Sequence, residues 1–326
     1  MKAAIRRRYG PPDVVQIGEI EKPVPKDTEI LIGIRAAALN PLDLFQLRGA
    51  PVLRGIPGMR KPKQEVLGCD IAGQVEAVGR QTKQFQPGDA VFGVTGFAGG
   101  GFAEYVCTTE DKVAMKPVNC SFEQAAAIPI AGLTALQGLR DKGRIQAGQR
   151  VLVYGASGGV GTFAVQIAKS FGAEVTGVCS TGKMEATRSI GADHVIDYTR
   201  DDFTKSGELY DLILGANSHQ SIFDCRRALK PGGTYVVIGG GVPQIVQAVI
   251  LAPFLSRIGS KKACFFIAKI IQKDLISLKE LVEGGKVVPI IDRTYPLRDV
   301  VEALRYLEQR HAKGKVVLTV EHGNEN

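Results

Sequence analysis

The sequence predicts an α/β protein in which a β-rich domain flanks a doubly wound domain with a parallel sheet. Three observations predict this class: short apolar strands before residue 120, alternating strands and helices from Arg150 onward, and a mixed pattern near the end of the chain. Of the 326 residues, 44% are hydrophobic and 23% are charged, which is typical of a globular protein with two domains. We therefore expect two separate cores.

The β-rich part comes first along the chain. Runs such as "EILIGIRAAAL", "DIAGQVEAVG" and "AVFGVT" are short and apolar or alternating, and turns containing Gly, Pro and Asp separate them. After Pro117 the pattern changes, because "SFEQAAAIPIAGLTALQGLR" begins with Ser121 and Glu123 and then becomes rich in alanine. Such a beginning is typical of a helix.

The doubly wound part follows. The runs "RVLVYG", "EVTGVCS", "HVIDY", "YDLILGA" and "TYVVIG" predict strands, and helical segments lie between most of them. A helix over about 297–309 and a final strand "KVVLTV" end the chain. The predicted domains are 1–120, 121–285 and 286–326, and the last of these returns to the first domain.

Net charge and cysteine usage narrow the class of partner. The net charge of +8 suits anionic ligands such as phosphates. The basic residues are scattered, apart from the clusters 6–8 and 261–262, which indicates a solvated surface rather than a nucleic-acid site. Six cysteines without CxxC spacing favour a reducing compartment, and the first residues lack the apolar run of a secretory signal. We expect a cytoplasmic protein.

One uncharged stretch, residues 232–256, is long enough to cross a bilayer. However, three consecutive glycines from Gly239 and two prolines interrupt it, so we expect a buried strand, a glycine loop and an apolar helix or lid. An alternative is an apolar surface that contacts a partner chain or the face of a membrane.

The stretch "VLVYGASGGVG" has the strand, glycine-rich turn and helix start of a dinucleotide-binding loop. Ala156 stands where the usual pattern has its first glycine, and it fits if its φ is negative. Gly158 would let a pyrophosphate approach the backbone, and Gly161 would let the helix pack closely on the strand. The helix start near Gly159 offers amides and a positive dipole to a phosphate.

The next strand indicates which dinucleotide binds. In an NAD site, an acidic residue follows the loop by about 20 residues and holds the ribose 2′-hydroxyl. Here Cys179 and Ser180 occupy that place, and Lys183 follows. A hydroxyl and an ammonium suit a 2′-phosphate, so the sequence favours NADPH. The alternative for Lys183 is an exposed lysine at the start of a helix.

Eight motifs occur in order: "ALNPLD", "GCDIAGQVEAVG", "GDAVFG", "GGFAEY", "AAAIPIAGLTALQGL", "GASGGVG", "GADHVIDY" and "GKVVL". By these motifs the chain resembles the zinc-free quinone oxidoreductase and alkenal reductase branch of the medium-chain dehydrogenase/reductase superfamily. The resemblance covers essentially the whole chain. It implies a GroES-like catalytic domain from both chain ends, a Rossmann domain between them and an active cleft between the two. It also implies a homodimer that forms through the sheet edge of the Rossmann domain.

The resemblance also implies roles for individual residues. Asn40 would lie near the nicotinamide ribose and Asp43 would support its loop, so these two are the predicted catalytic residues. Thr134 would contact the nicotinamide side, Tyr198 would border the adenosine phosphate, and Lys315 would approach the cofactor. The full predicted cofactor-binding set is Asn40, Thr134, Ala156, Ser157, Gly158, Gly159, Val160, Gly161, Ser180, Lys183, Tyr198, Gly239, Phe265, Phe266 and Lys315; for the two phenylalanines a role in the core is the alternative.

Two departures from related families limit the chemistry. The zinc-dependent branch carries a cysteine and a Gly-His-Glu motif, whereas this chain has "NPLD" and Gly68-Cys69-Asp70, so no metal is expected. Enoyl-thioester reductases use a tyrosine as proton donor shortly after the "NPxD" motif, and quinone reductases often carry a tyrosine just beyond it as well. Here Phe45 and Pro51 occupy the matching places. This disfavours enoyl-thioester reduction.

We therefore expect an NADPH-dependent enzyme that reduces quinones or α,β-unsaturated carbonyls by hydride transfer without a metal. One alternative is an enoyl-thioester reductase. A second alternative is a non-catalytic protein that senses NADPH and binds RNA or a protein partner. The expected partners are a small quinone or enone and a second copy of the chain.

Overall fold

The computed structural model describes residues 1–49, 61–97, 99–217, 219–239, 242–255 and 259–322. Pro51 lies outside these residues. The chain divides into two compact units. Unit 1 comprises Met1–Ile130, Ile270–Glu283 and Pro289–Asn326, and unit 2 comprises Ala131–Lys269 and Gly284–Val288.

The first part of the chain is rich in strands, as predicted. Its elements are β1 (Lys2–Arg6), β2 (Val15–Glu19), β3 (Glu29–Leu39), α1 (Pro41–Arg48), β4 (Asp70–Val78), β5 (Ala90–Val94), β6 (Tyr105–Thr109), β7 (Val113–Met115), α2 (Phe122–Ala126) and α3 (Pro129–Gln137).

Strands and helices then alternate, also as predicted. These elements are β8 (Arg150–Tyr154), α4 (Gly159–Ser170), β9 (Glu174–Cys179), α5 (Met184–Ser189), β10 (His194–Asp197), β11 (Tyr210–Gly215), α6 (Ile222–Arg227), β12 (Leu229–Val237), α7 (Val242–Leu255) and β13 (Lys262–Phe265). The chain continues through α8 (Gln272–Glu283), β14 (Ile291–Pro296), α9 (Val300–Glu308) and β15 (Lys315–Thr319).

Unit 1 contains a sheet to which both parts of the chain contribute. Its order is β14-β15-β3-β4-β5-β7, with β6 paired to β3, and β1 and β2 form a separate pair. The long central strand β3 is apolar and almost entirely buried, which suits its position inside the sheet. Its antiparallel pairing with β15 matches Leu39 with Val316 and therefore brings Lys315 beside Asn40.

Unit 2 is a parallel six-stranded sheet in the order β10-β9-β8-β11-β12-β13. The order of the strands along the sheet reverses between β8 and β11, which is the arrangement of a doubly wound fold. The central strand β8 has four buried residues of five, because a parallel strand covered on both faces needs no polar alternation. The α/β class with a β-rich unit and a parallel-sheet unit is confirmed.

The unit bounds differ from the predicted domain bounds at three places. Residues 121–130 and 270–283 belong to unit 1, although the sequence suggested 121–285 for the Rossmann domain. Residues 286–288 belong to unit 2, although the sequence suggested 286–326 for the return to the first domain. Residues 121–130 and 270–283 belong to unit 1 because of the contacts that they make there, which the composition of the sequence does not reveal. Helix α2 packs on β3 and β4, and the amide Nε2 of Gln272 in α8 donates to the carbonyls of Glu110 and Val113, 2.9 Å from each.

The uncharged stretch 232–256 folds mainly as the end of β12 and the 14-residue helix α7. Within the described ranges, no helix has the length and apolar character that crossing a membrane requires. The expected strand and the expected helix agree with the structure, whereas Gly240 and Gly241 of the expected glycine loop lie outside the described residues.

Candidate cofactor and active-site residues

The glycine-rich loop of unit 2 is fastened to the neighbouring strand. The backbone amides of Gly155 and Ala156 both donate to the carbonyl of Val178 in β9, at 3.0 and 3.1 Å. Gly155 makes the turn with a φ of 83°, which a side chain would disfavour. Ala156 is fully buried and is not among the residues with positive φ, so the condition set for an alanine at this position is met.

The two glycines that follow have different surroundings. A Cβ atom on Gly161 would lie 2.0 Å from the carbonyl oxygen of Gly155, so only glycine lets the start of α4 pack against the loop. A Cβ atom on Gly158 would meet that oxygen at 3.5 Å, an ordinary contact. Gly158 is the N-cap of α4, and the first amides of a helix have no acceptor inside it. The loop therefore offers open backbone and a helix start to an anion.

Most of the predicted cofactor residues of unit 2 lie along one edge of its sheet. Parallel strands present their carboxyl ends at the same edge, and the pairings Tyr154–Gly215, Gly215–Val237 and Val237–Phe265 align these ends. In open α/β sheets, ligands bind at this edge, next to the point where the strand order reverses. The residues that follow the strand ends are the loop 155–161, Ser180, Tyr198, Gly239 and Phe266.

Other predicted residues of unit 2 differ in accessibility. Phe265 is half-buried and packs against the core, whereas Phe266 is 8% exposed. Thr134 is buried within α3. A Cβ atom on Gly239 would lie 2.6 Å from the carbonyl oxygen of Ala216, so glycine allows the loops after β11 and β12 to approach closely.

The end of β9 carries the residues expected to select the cofactor. Cys179 is 1% exposed, and the hydroxyl of Thr187 donates to its Sγ at 3.4 Å, so the thiol belongs to the core. Ser180 is half-buried and occupies the N-cap position of a short 3-10 turn, Thr181–Lys183, without a side-chain hydrogen bond to the turn. The amide of Tyr198 donates to the carbonyl of Cys179 at 3.1 Å, which brings this half-exposed tyrosine to the same place.

One carboxylate at this place is not among the residues predicted from the sequence. Asp197 ends β10, pairs directly with Cys179, and is 4% exposed. The hydroxyls of Thr181 and Thr199 donate to its two oxygens, and these hydrogen bonds hold the pKa of the carboxyl below its usual value. The acidic residue in "VIDY" was the signal that could have revealed this carboxylate. It lies one strand further along the chain than the acidic residue of a usual NAD site. Its oxygens are engaged by neighbouring hydroxyls in this structure.

Unit 1 holds a buried polar cluster at the start of α1, and it contains three of the predicted site residues. The ammonium of Lys315 donates to Oδ1 of Asn40 at 2.7 Å and to Oδ2 of Asp70 at 3.0 Å. The amide Nδ2 of Asn40 donates to the same oxygen of Asp70 at 2.9 Å. The backbone amide of Ile130 donates to the other oxygen of Asp70 at 3.0 Å. Each side chain therefore fixes the next.

Asp43 completes this cluster as the third residue of α1. Its Oδ2 accepts the backbone amide of Asn40 at 2.6 Å, which forms a capping box at the start of the helix. Among the described residues, Oδ1 of Asp43 has no partner at hydrogen-bond geometry. Complete burial raises the pKa of Asp43 to about 7, and the nearby charge of Asp70 acts in the same direction.

The cluster also contains Asp70, which is not among the predicted site residues. Asp70 was noted only as a departure from Gly-His-Glu, yet it is fully buried and accepts from three donors. The preceding Cys69 is also buried, and desolvation together with the two aspartates strongly raises the pKa of its thiol. Among the described residues, no group of three or more His, Cys, Asp or Glu side chains could hold a metal ion.

Comparisons with known proteins agree with this architecture. Residues 26–118 match the model of the alcohol dehydrogenase GroES-like domain, and residues 190–318 match a model named zinc-binding dehydrogenase. The chain is 36% identical to the 2-methylene-furan-3-one reductase of Solanum lycopersicum, over 98% of this chain and 79% of that protein. It is 35% identical, with the same coverage, to the chloroplastic NADPH-dependent alkenal/one oxidoreductase of Arabidopsis thaliana.

A solved structure gives the same result. The quinone oxidoreductase of Coxiella burnetii superposes with a TM-score of 0.86, at 29% identity, and the match covers 98% of this chain and 99% of that one. The relatives and the fold agree along nearly the full length. The chain belongs to the branch of the medium-chain dehydrogenase/reductase superfamily that contains quinone oxidoreductases and alkenal/one oxidoreductases, and it is an NAD(P)H-dependent oxidoreductase.

Proposed function

We propose that this oxidoreductase uses NADPH to reduce quinones or α,β-unsaturated carbonyls, without a metal ion. The observation that supports it most is the loop 155–161, which combines an open Gly158, a tightly packed Gly161 and a helix start at the carboxyl edge of a parallel sheet. That arrangement fits the pyrophosphate of a dinucleotide.

The preference for NADPH rests on the turn after β9. Ser180 and Lys183 offer a hydroxyl and a cation, which suit a 2′-phosphate. The hydroxyls of Thr181 and Thr199 engage the nearby carboxylate of Asp197, and this reduces its repulsion of a phosphate. Tyr198 would border the adenosine end, since it is half-exposed beside this turn.

The chemistry requires a hydride and a proton. NADPH, when bound, supplies the hydride, and a quinone or an enone accepts it at a conjugated carbon or oxygen. The chain's own residues position the reacting groups. We propose that Lys315 and Asp70 hold Asn40 in one orientation, and that Asp43 fixes the backbone from which Asn40 projects.

The substrate class rests on the residue five positions after Asn40. Phe45 is 63% exposed, and an aromatic hydrocarbon ring cannot donate a proton. The proton must then come from water, which favours substrates that are electrophilic enough to accept a hydride without a tyrosine donor. Enoyl thioesters are less favoured, because the related reductases use a tyrosine for them.

A substrate panel tests this proposal. Purified protein is mixed with NADPH and one of four substrates: a quinone, a short enal, a long enone or an enoyl thioester. In a separate assay it is mixed with NADP⁺ and a primary alcohol. The absorbance of the reduced cofactor is followed in both. We expect turnover with quinones or enones and none with the alcohol. Faster turnover of the enoyl thioester than of the other substrates would favour an enoyl-thioester reductase instead. No turnover with any substrate, together with salt-dependent binding of RNA, would favour the non-catalytic protein that senses NADPH.

Two further predictions stay predictions: the homodimer, which the resemblance implies, and the cytoplasmic location, which the cysteine usage and the first residues indicate. The homodimer is tested by light scattering of the purified chain. A cytoplasmic location is tested by fractionation of the source cells, and the printed name of one relative places that protein in the chloroplast.

A further inference from the structure

Strand β2 is an open edge of the two-stranded sheet in unit 1. Its partner β1 has neighbours on its other side, since the amide of Ala4 donates to the carbonyl of Phe102 at 2.8 Å. The amide of Arg6 donates likewise to the carbonyl of Glu65 at 2.9 Å. Over the described ranges of the chain, no strand pairs with the far side of β2. An edge of this kind is a template for pairing with another strand.

The hydrogen bonds of the pair show which peptide groups of β2 face outward. Met1 and Ile20 exchange both hydrogen bonds, at 2.7 and 2.9 Å. In an antiparallel pair, residues that exchange hydrogen bonds alternate with residues that do not. The peptide groups of Ile17 and Glu19 and the carbonyl of Val15 therefore point away from β1. Among the residues that the structure describes, these outward groups have no hydrogen-bond partner.

The end of this edge at Val15 is basic. Arg7 and Arg8 follow β1, whose last residue pairs with Val15, and they line one groove together with residues 16–18. Their guanidinium groups therefore lie beside the first half of β2, and both side chains are exposed. The acid in this groove, Asp13, is paired with another arginine of unit 1 and leaves the two guanidinium groups uncompensated.

The opposite end of the edge is acidic. Glu19 is the last residue of β2, and Glu21 follows as a second exposed acid. Lys2 lies opposite Glu19 in β1, and the described residues show no ion pair between the two. Two acids against one lysine leave this end negative. The edge therefore changes from positive to negative charge along its length.

This pattern of charge is complementary to itself. When two identical edges pair antiparallel about Ile17, Val15 of each copy lies opposite Glu19 of the other. The acidic end of one copy then meets the basic end of the other, twice by symmetry. Ile17, which is 39% exposed, lies against Ile17 of the second copy at the centre. A uniformly anionic partner, such as a nucleic acid, would be repelled at the Glu19 end.

We propose that β2 pairs with β2 of a second copy around a twofold axis. The amides of Ile17 and Glu19 donate to the carbonyls of Ile17 and Val15 of the second copy, and Arg7 and Arg8 contact its Glu19. This contact belongs to unit 1, so it differs from the dimer contact predicted at the sheet edge of the Rossmann domain. It adds to that contact and does not depend on the cofactor or the substrate.

Sedimentation velocity of the full-length protein at rising concentration tests the contact. Ile17→Pro removes the outward amide without removing a hydrogen bond to β1, and Ile17→Val keeps this amide. A pair of five-residue strands buries little surface, so we expect weak association that increases with concentration. The mass of the wild type and of Ile17→Val should reach at least twice the mass of Ile17→Pro, whatever assembly the Rossmann edge forms.

Charge exchange tests the antiparallel register without changing the backbone. The double variant Arg7→Glu, Arg8→Glu places acids against Glu19 of the second copy, and Glu19→Arg places cations against cations. We expect each variant alone to lose the association at low salt, and an equimolar mixture of the two to regain it, because every contact then joins opposite charges. Lys83→Glu, in the exposed turn between β4 and β5, is the control and should associate like the wild type.

Three results would overturn the proposal. The first is a wild type whose mass equals that of Ile17→Pro at every concentration. The second is association of either charge variant alone that is as strong as in the wild type. The third is a mixture of the two charge variants that stays apart, because the charged ends would then not meet across the contact. Since the exchanged side chains are exposed, melting temperatures close to that of the wild type separate lost association from lost folding.

Discussion

The ammonium of Lys315 lies 3.0 Å from Oδ2 of Asp70, and the two side chains are 3% and 0% exposed. The two residues come from opposite parts of the chain and meet because β15 and β4 both pair with β3. Removing one partner of a buried ion pair leaves the other charge without compensation, which costs far more than the pair itself contributes. The cluster around Asn40 therefore depends on both charges.

We predict that Lys315→Met lowers the free energy of unfolding by about 3–5 kcal/mol. The second change Asp70→Asn should restore part of the loss, because it removes the charge that Lys315 compensates. Urea unfolding measures both. The control is Lys279→Met, whose partner Glu283 is more exposed, and it should cost about 0–1 kcal/mol. Equal losses for Lys315→Met and Lys279→Met would contradict the role assigned to the buried pair.

Asp43 should make stability depend on pH. Burial raises its folded pKa to about 7, above the ordinary value of 3.8. The folded state then binds the proton more tightly than the unfolded state. The contribution of Asp43 to stability is therefore fully present below about pH 4 and is lost as the pH rises through about 7. Asp43→Asn should remove this dependence while keeping an oxygen that can accept the amide of Asn40.

Urea unfolding at several pH values between 4 and 8 measures the effect. The difference in stability between Asp43→Asn and the wild type should rise with pH in favour of the variant. The control Asp89→Asn changes a half-buried turn carboxylate and should change the free energy of unfolding by the same amount at every pH. A wild type and an Asp43→Asn variant with parallel pH curves would show that Asp43 is charged at neutral pH in the folded protein.

The sequence predicted the loop but not the buried cluster, for a physical reason. The pattern from Val151 to Gly161 is local: strand, turn and helix follow within a few residues, so their periods and glycines reveal them. The contact between Lys315 and Asp70 depends on how distant strands pair, which no local pattern encodes. Asp197 was missed similarly, because it reaches the end of β9 through the pairing of β10.

The two glycines of the loop should respond differently to alanine. Gly161→Ala places a Cβ 2.0 Å from the carbonyl of Gly155, so the backbone must shift, and we expect a lower melting temperature and weaker cofactor binding. Gly158→Ala makes only ordinary contacts within the protein, so the fold should persist while NADPH affinity falls at least about tenfold, because the methyl group occupies the approach of the pyrophosphate.

Thermal unfolding and cofactor titration separate these effects. Gly182→Ala serves as the control for stability, because a Cβ there meets nothing within 4 Å. If Gly158→Ala binds NADPH like the wild type, the pyrophosphate does not lie at this helix start.

We predict that the purified protein contains far less than one zinc ion per chain and that chelators leave its activity unchanged. Zinc binds the thiolate form of cysteine, whereas burial and two neighbouring aspartates favour the protonated thiol of Cys69. Elemental analysis with activity assays before and after a chelator provides the measurement. Stoichiometric zinc together with chelator-sensitive activity would place the chain with the zinc-dependent enzymes.

Cofactor preference should depend on the turn after β9. A hydrogen bond to a charged group contributes roughly 1.5–3 kcal/mol. Lys183→Ala should therefore weaken NADPH by roughly tenfold to a hundredfold and leave NADH nearly unchanged. Ser180→Asp should act in the same direction, since the new carboxylate repels the 2′-phosphate and accepts the ribose hydroxyls of NADH. Ser180 is a better position than Cys179, because Cys179 is buried beside Asp197 and a second carboxylate there would disrupt the core.

The measurement is kcat/KM for NADPH and NADH in the wild type, Lys183→Ala and Ser180→Asp. Lys205→Ala is the matched control, because this lysine is also on a short turn of unit 2, is 77% exposed and pairs with Asp202. The control should keep the wild-type preference. A wild type that prefers NADH, or a Lys183→Ala variant that loses both cofactors equally, would mean that the 2′-phosphate does not bind at this turn. The carboxylate of Asp197 would then be the candidate partner of an NADH ribose, since it stands at the end of the adjacent strand.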